Sequence, residues 1–447
     1  MKDMNRRQFL KAAGAGTALG ALNLSGCAPK SSAPEQAGAG EMTFRTNPGN
    51  GDKVSLLGYG CMRWPMKKDS DGKDIIDQEQ VNALVDYAME HGVNYFDTSP
   101  VYLQGMSEES TGEALSRHPR ESYYIATKLS NFSNWTRENS LLMYRKSFEK
   151  LRTDYIDYYL LHSIGGGGVK AFNDRYVNNG LVDFLMEERE AGRIRNLGFS
   201  FHGDEECFDH LMSLHKDIHW DFVQIQLNYL DWKHAAGRNT NAEYLYAKLM
   251  EQNIPSVIME PLLGGRLSKV PEHIADRLQE RDPGSSVASW AFRFAGSPEG
   301  VLTVLSGMTY QEHLEDNLKT YSPLKPLTAD DLDFLEETAE LMSKYPTVPC
   351  NDCKYCMPCP YGIDIPAILL HYNKCVNEGN IAPKGSDNYR KARKAYLVGY
   401  DRAAEKVRQA DHCIGCGECK THCPQSIDIP TELQKISLYV EDLKRNA

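Results

Sequence analysis

The sequence predicts an α/β fold, a (β/α)8 TIM barrel followed by a small α-rich domain. Its 447 residues are more than one hydrophobic core usually holds. Short β-rich runs alternate with amphipathic stretches between residues 53 and 318, and eight of the 12 cysteines form two runs, at residues 350–359 and 413–423. We expect a signal at residues 1–27, a flexible tether at 28–41, the barrel at 42–322 and the second domain at 323–447.

Eight runs have the composition of parallel strands, and each is followed by a segment with helical spacing. They are Leu56–Cys61, Tyr95–Thr98, Tyr123–Lys128, Ile156–His162, Asn196–Phe201, Phe222–Leu227, Ser256–Pro261 and Leu302–Gly307. Eight such units favour a closed barrel, and a hairpin of Met42–Phe44 with Val54–Leu56 is expected to close its bottom. An open doubly wound sheet is the alternative, although no Gly-rich dinucleotide fingerprint follows the first strand.

The charge balance argues against nucleic acid as a partner. The chain has 50 Lys+Arg and 61 Asp+Glu, a formal net charge of -11. Such acidity favours solubility and gives no support to binding of nucleic acid or of an anionic membrane surface.

The N-terminal residues have the pattern of a targeting signal. Asn5–Lys11 contains Arg6-Arg7 and resembles a twin-arginine export signal, and the apolar stretch Ala12–Leu24 is too short and too weak to span a membrane. Leu24-Ser-Gly-Cys27 resembles a bacterial lipoprotein box. The expectation is export by the twin-arginine route, with a lipid anchor at Cys27 as the sole membrane attachment. The protein would then lie on the outer side of the cytoplasmic membrane or in the periplasm.

Four polar residues gather at the rim where barrel enzymes carry their chemistry, the C-terminal ends of the strands. Asp97, Lys128 and His162 end the second, third and fourth predicted strands, and Tyr102 lies five residues after Asp97. Asp97 would balance the Lys128 cation, which would lower the pKa of the Tyr102 phenol. Tyr102 could then protonate a carbonyl oxygen that His162 orients. Each residue alone has an ordinary structural explanation, but together they predict a catalytic site.

The motifs around these residues resemble the aldo-keto reductases over roughly residues 42 to 320. They are Asn94-Tyr-Phe-Asp-Thr-Ser-Pro-Val-Tyr102, Ile125-Ala-Thr-Lys128, Asp157-Tyr-Tyr-Leu-Leu-His162 and Arg193-Ile-Arg-Asn-Leu-Gly-Phe-Ser200. The resemblance implies NAD(P)H-dependent reduction of a small aldehyde or ketone, with Tyr102 as the general acid and the cofactor across the barrel mouth.

The same resemblance implies a set of nicotinamide cofactor contacts. Ser200 and Gln226 match positions that hold the carboxamide, the loop Leu262–Arg266 with Gly264 matches the cover of the pyrophosphate, and Asp316 and Asn317 match the adenine contacts. The chain departs from the family pattern at three places. His202 stands about where the family usually has Asn, and Met259 or Glu260 stands where an aromatic residue commonly stacks on the nicotinamide. Ser306–Thr309 lacks the basic residues that often bind a 2′-phosphate. The choice between NADP and NAD therefore stays open.

The clustered cysteines form two related runs. The second, Cys413-x2-Cys416-x2-Cys419-x3-Cys423-Pro, has the spacing of bacterial two-cluster ferredoxins, and the first, Cys350-x2-Cys353-x2-Cys356-x2-Cys359-Pro, is one residue shorter. Both continue into the phrase Ile-Asp-Ile-Pro, which indicates an internal duplication. We therefore predict two 4Fe-4S clusters in a ferredoxin-like iron-sulfur domain. A structural zinc ribbon is the alternative, but these spacings do not suit two tetrahedral zinc sites.

The resemblance to ferredoxins also implies how the ligands divide. Each run would give three cysteines to its own cluster and the fourth to the other. One cluster would then be held by Cys350, Cys353, Cys356 and Cys423, and the other by Cys413, Cys416, Cys419 and Cys359.

The predicted function is that of an oxidoreductase whose barrel reduces a carbonyl, or runs the reverse reaction, while the clusters exchange electrons with a redox partner that the sequence does not identify. The alternative is a non-catalytic electron-transfer protein that uses the barrel as a docking scaffold, and the complete tetrad argues against it. The loops expected to set the substrate, such as residues 64–77 and 132–135, carry no recognisable code.

Overall fold

The computed structural model describes residues 41–445. The predictions for the signal, most of the tether and the Cys27 anchor lie outside these residues. The strands, in chain order, are β1 (Phe44–Thr46), β2 (Lys53–Ser55), β3 (Leu57–Gly60), β4 (Met66–Lys68), β5 (Asp74–Ile76), β6 (Tyr95–Asp97), β7 (Tyr124–Leu129), β8 (Ile156–Ile164), β9 (Ile194–Phe201), β10 (Phe222–Gln226), β11 (Ser256–Met259) and β12 (Val301–Ser306).

The predicted barrel is confirmed. Eight parallel strands close in the order β10-β11-β12-β3-β6-β7-β8-β9, so each strand pairs with its predicted neighbours. The strands read as near-continuous apolar runs because both of their faces are buried. Inside the barrel Tyr95, Tyr158 and Phe222 pack with smaller apolar side chains, so the barrel interior is a filled core and not a pore.

The opening hairpin forms one to two residues from its predicted position. β1 pairs antiparallel with β2, with Phe44 opposite Ser55 and Thr46 opposite Lys53. Asn47 in the turn donates to the Tyr158 hydroxyl (3.2 Å). Tyr158 lies near the start of its strand, so the hairpin covers the end of the barrel opposite the catalytic rim.

Helices surround the barrel and bury their apolar faces against the strands. They are Gln78–Glu90, Ser107–Leu115, Arg137–Leu151, Gly168–Phe172, Leu181–Glu190, Glu205–Ser213, His215–Ile218, Ala242–Glu251, Glu272–Arg281, Val287–Gly296 and Gln311–Tyr321. The next helix, Ala329–Ser343, begins with a capping box of Thr328 and Asp331. It buries Leu335 and Ala339 in the barrel's hydrophobic core and therefore packs as part of the barrel domain.

The remaining helices are Ile365–Asn377, Tyr389–Ala403, Glu418–Thr421 and Ile429–Arg445, and they share a second hydrophobic core. The repeated phrase Ile-Asp-Ile-Pro begins the long helix after each cysteine run. Asp364 caps the first of these helices by accepting from the Ala367 backbone N–H, with Pro366 in the first turn. The α-rich second domain is thus confirmed. Within residues 41–445, none of the helices is both long enough and apolar enough to cross a membrane.

Candidate active site

The predicted tetrad is assembled at the C-terminal rim of the barrel. The Lys128 ammonium donates to Asp97 Oδ1 (2.5 Å) and to the Thr98 carbonyl (2.9 Å), and both charged side chains are buried. Burial raises the pKa of Asp97 and lowers that of Lys128, while each charge offsets the shift of the other. The pair is therefore a fixed ionic floor beneath the pocket.

His162 is held as a neutral imidazole. Burial, followed by the charges of Lys128 and Arg175, lowers its pKa well below the usual value. The Ser130 hydroxyl lies 2.5 Å from His162 Nδ1, and Ser99 lies 2.8 Å from Ser130. When Ser130 donates to Nδ1, the imidazole carries its proton on Nε2, the nitrogen that faces the pocket. Sequence reasoning did not identify these two serines, which set the direction of the histidine's hydrogen bonds.

Tyr102 lies in the loop after β6, against both Lys128 and His162. The Lys128 Nζ is 5.1 Å from the centroid of the Tyr102 ring, and the Tyr102 and His162 rings meet edge to face with centroids 5.9 Å apart. The expected direction of its pKa shift is wrong. Burial, and then the charges of Tyr355 and Asp97, raises the pKa of Tyr102. A phenol that retains its proton is what a general acid requires.

Tyr355, from the second domain, also lines the pocket that contains the tetrad. Its hydroxyl lies 3.3 Å from His162 Nε2, and it interacts with Tyr102. Its ring lies against Phe132, with centroids 6.0 Å apart. Tyr355 stands between Cys353 and Cys356, so the first cysteine run enters the candidate active site. The sequence shows an aromatic residue inside the motif but not where it points, since that depends on how the two domains dock.

The tetrad opens into a large cavity. Asp97, Tyr102, His162 and Tyr355 line it, together with Arg266 and Asp316 of the predicted cofactor contacts, and its volume is about 1990 Å³. This volume exceeds the usual size of small-molecule sites, so a substrate has room beside the tetrad.

The residues predicted to hold the carboxamide have protein partners. The Ser200 hydroxyl accepts from the Ser163 backbone N–H (2.8 Å). Gln226 donates to Asp231 (2.5 Å) and accepts from Gln425 of the second cysteine run (3.0 Å). Both polar ends of Gln226 are therefore engaged within the chain.

The loop predicted to cover the pyrophosphate is itself covered by the first cysteine run. Gly264 has a φ of +66°, and a methyl group added there would overlap the backbone of Asn351. Arg266, in the same loop, donates to the Thr347 hydroxyl (3.2 Å). At this one point the two backbones leave no space for a phosphate, while the rest of the predicted groove borders the cavity. NADP or NAD binding stays a prediction.

The predicted adenine contacts lie on the helix Gln311–Tyr321. Asp316 accepts from the Ser286 hydroxyl (2.6 Å), and Asn317 is buried and donates to the Ser306 hydroxyl (2.9 Å). Asp316 and Asn317 both line the cavity, as do Ser200, Leu262, Gly264 and Arg266 of the other predicted contacts.

Neighbouring thiols influence one another within and between the two runs. Burial raises the pKa of Cys350 to about 11 and of Cys356 to about 12; the charge of Cys423 contributes to both shifts, and the charge of Cys419 also contributes to that of Cys356. Burial, with the charges of Cys413, Cys416 and Cys359, raises the pKa of Cys419 to about 11. All eleven cysteines from residue 41 onward are free thiols.

The thiols suit polynuclear clusters. In the described part of the chain, no three His, Cys, Asp or Glu side chains converge as ligands of a single metal ion. A four-iron cluster binds each cysteine at a different iron, so it holds its ligands farther apart. The thiols therefore suit the predicted clusters in ligand type.

Comparisons with known proteins address the two ends of the chain. A twin-arginine translocation signal matches residues 3–22, which supports export by that route. A 4Fe-4S dicluster domain matches residues 349–427, the span of both cysteine runs. The iron-sulfur domain is thus confirmed.

Individual relatives resemble the barrel. L-galactose dehydrogenase from Arabidopsis thaliana is 24% identical over 65% of this chain and 92% of its own length. The oxidoreductase YqkF from Bacillus subtilis is 30% identical, but the match covers 33% of this chain and only 45% of YqkF. Among solved structures, the aldo-keto reductase AKR11C1 from Bacillus halodurans superposes with a TM-score of 0.53 at 22% identity, covering 67% of this chain and 96% of its own. An aldo-keto reductase from Klebsiella pneumoniae in complex with NADPH gives 0.52 at 22% identity, covering 66% and 95%.

The family itself is shown by the match to the barrel as a whole. The aldo/keto reductase family model covers residues 56–340, from the first barrel strand into the helix Ala329–Ser343, which shares the barrel's hydrophobic core. That span exceeds half of the chain and contains the whole tetrad. The chain is therefore an oxidoreductase that belongs to the aldo/keto reductase family.

Proposed function

We propose that the protein reduces an aldehyde or ketone, or oxidises the corresponding alcohol, at the tetrad, and that this reaction is linked to electron transfer by two 4Fe-4S clusters. The observation that carries the proposal is the direct contact between the two halves of the site. Tyr355, between two cluster ligands, lies at His162 and Tyr102 of the tetrad.

The tetrad residues have distinct roles in this proposal. The raised pKa of Tyr102 keeps its phenol protonated until the carbonyl oxygen requires a proton. His162, neutral and with Nδ1 facing Ser130, donates from Nε2 to the same oxygen. The Asp97–Lys128 pair fixes the floor of the site and balances charge as the oxygen becomes negative.

The clusters would be held as the resemblance implies, by Cys350, Cys353, Cys356 and Cys423 in one case and by Cys413, Cys416, Cys419 and Cys359 in the other. The influence of Cys423 on the Cys350 thiol, and of Cys359 on the Cys419 thiol, is consistent with this division. When bound, the clusters supply single-electron transfer. After export by the twin-arginine route, a lipid anchor at Cys27 would keep the protein at the outer side of the membrane.

The source of the electrons has two candidates. The family comparison favours a nicotinamide, since a solved relative is in complex with NADPH. The contacts of Gly264 and Gln226 with the second domain oppose it in this chain. The proposal for the tetrad depends on neither.

The test is Tyr102→Phe, assayed anaerobically on benzaldehyde with either NADPH or reduced methyl viologen supplied. We expect benzyl alcohol formation to fall by roughly a hundredfold or more, the usual contribution of a general acid. Iron content and the EPR spectrum of the reduced clusters should be unchanged. Tyr310→Phe, at an exposed tyrosine, is the matched control and should keep full turnover. Full turnover in Tyr102→Phe, or none by the wild type with either donor, would contradict the proposal and favour the docking-scaffold alternative.

A further inference from the structure

The segment Thr347–Tyr355 of the second domain lies along the groove in which the family resemblance places the nicotinamide cofactor. It touches this groove at three successive points: the pyrophosphate loop, the nicotinamide platform and the catalytic pocket. Each contact uses a protein group that a cofactor would need.

At the pyrophosphate loop the contact is between two backbones. Gly264 and Asn351 approach so closely that a single methyl group at Gly264 would overlap the Asn351 carbonyl. The Arg63 guanidinium holds the same stretch from the side, since it donates to the Asn351 carbonyl (3.0 Å) and to Asp352 (3.2 Å). No phosphate could lie between these surfaces while they are docked.

At the predicted nicotinamide platform the family resemblance places Met259 or Glu260 where a stacking aromatic is common. Glu260 has a φ of +56° and accepts from the Asn351 side-chain amide (2.8 Å). Gln226, one of the predicted carboxamide ligands, is engaged by Gln425 and Asp231. Glu260 and Gln226 of the predicted platform therefore both accept hydrogen bonds from the second domain.

At the catalytic pocket the segment ends in Tyr355. Its hydroxyl lies 3.3 Å from His162 Nε2 and interacts with Tyr102, which are the two groups that would hold a substrate oxygen. The segment thus joins the cysteine ligands to the reaction centre without an intervening molecule.

We propose that in the working enzyme the segment Thr347–Tyr355 takes the place of the nicotinamide, so that reducing electrons enter the barrel from the cluster side. This inference rests on the proposed carbonyl reduction. A carbonyl takes up two electrons and two protons to become an alcohol, and two equivalents of a reduced one-electron carrier are oxidised. One proton passes from Tyr102 to the oxygen, and the second reaches the carbon from solvent in the open cavity.

The chain's own residues prepare the site for this arrangement. Asn351 and Asp352 fix the segment to Glu260 and Arg63, which determines where the neighbouring cysteines stand relative to the pocket. This arrangement also explains two of the departures from the family pattern described above. A carboxyl group at residue 260 and a sequence without basic residues at 306–309 suit a groove that no longer grips a nucleotide.

The first experiment is a binding titration of the cluster-loaded protein with NADPH and with NADH, followed by fluorescence and calorimetry. We expect no saturable binding up to millimolar concentration. Stoichiometric binding of either nucleotide would overturn the inference, since the segment would then have to leave the groove.

The second experiment compares electron donors in the reduction of benzaldehyde. Reduced methyl viologen should support turnover, with two viologens oxidised for each benzyl alcohol formed, whereas NADPH should not. Transfer of deuterium from 4-deuterated NADPH to the alcohol carbon would overturn the inference but leave the proposed function standing, provided that Tyr102→Phe abolishes it. Viologen-driven turnover that survives Tyr102→Phe would instead remove the proposed function.

Discussion

The two cysteine runs have nearly the same sequence pattern but different surroundings. The first is fixed to the barrel mouth: Asn351 contacts Glu260 and Gly264, and Tyr355 reaches His162. The second is more open, with Cys416 exposed and Ile414 exposed by 62%. A duplicated motif has therefore become one inner and one outer site.

This difference gives the clusters an order. A partner protein can approach Cys416 and Ile414 without touching the barrel, whereas the first run is covered by the barrel mouth. Under the proposed function, electrons would enter at the second run and leave at the first, toward the tetrad, during carbonyl reduction.

Each run packs its backbone against a barrel glycine, so the two contacts can be disrupted separately by substitution. Gly264 meets Asn351, and Gly237, with a φ of +69°, meets Gln425. Gly264→Ala should lower turnover by roughly a hundredfold, because a shift of about 1 Å in a positioning element costs that much. Gly237→Ala should cost far less, since its contact lies away from the tetrad. Steady-state kinetics with a viologen donor would measure both.

The control is Gly265→Ala, which has the same unfavourable backbone region (φ +99°) but meets only Ser268 at 3.8 Å. Equal losses in the variants at residues 264 and 265 would mean that backbone strain, not docking of the first run, is responsible. Equal losses in the variants at 264 and 237 would remove the distinction between the runs.

Glu260 gives the first run a pH dependence. Burial raises its pKa from 4.5 to about 7. Because the folded pKa is the higher one, the stabilisation is complete below pH 4.5 and is lost as pH rises through 7, at a cost of roughly 3 kcal/mol. Glu260→Gln removes this loss, so the fall in thermal midpoint between pH 5 and pH 8 should become smaller by a few degrees.

The exposed Glu121→Gln provides the comparison, since it should leave the pH dependence unchanged. If the wild type and Glu260→Gln lose the same number of degrees between pH 5 and pH 8, the buried carboxyl is not the group responsible.

The smallest expected effect concerns single side-chain hydrogen bonds from the two runs. Asn351 donates to Glu260 and Gln425 donates to Gln226. Replacing either by Ala should lower the free energy of unfolding by about 1 kcal/mol, as measured by denaturant titration. Turnover should fall in Asn351→Ala but stay within twofold of wild type in Gln425→Ala. A larger kinetic effect at Gln425 would reverse the roles assigned to the two runs.

The sequence predicted what local pattern determines. All eight barrel strands lie within a few residues of their expected positions, and the tetrad assembles because Asp97, Lys128 and His162 follow strand ends that the barrel brings together. The repeated Ile-Asp-Ile-Pro became two helix starts, as its capping residue dictates.

The contacts between the two domains could not be predicted from the sequence. Tyr355, Asn351 and Gln425 are separated from their barrel partners by 91 to 199 residues, and no periodicity or motif reports such a pairing. The direction of the Tyr102 pKa shift failed for a related reason. It depends on how completely the second domain encloses the phenol, which the charge of Lys128 alone does not reveal.

If Cys353 and Cys356 hold a cluster as proposed, the position of Tyr355 between them would make the shape of the active site depend on metallation. If iron is lost after export, residues 353–356 lose the scaffold that aims the tyrosine at His162, while the barrel's own core remains intact. Damage to the inorganic centre would then silence the enzyme without unfolding it, and repair would require a new chain made and loaded in the cytoplasm. The catalytic lifetime of the protein would be set by its clusters rather than by its fold.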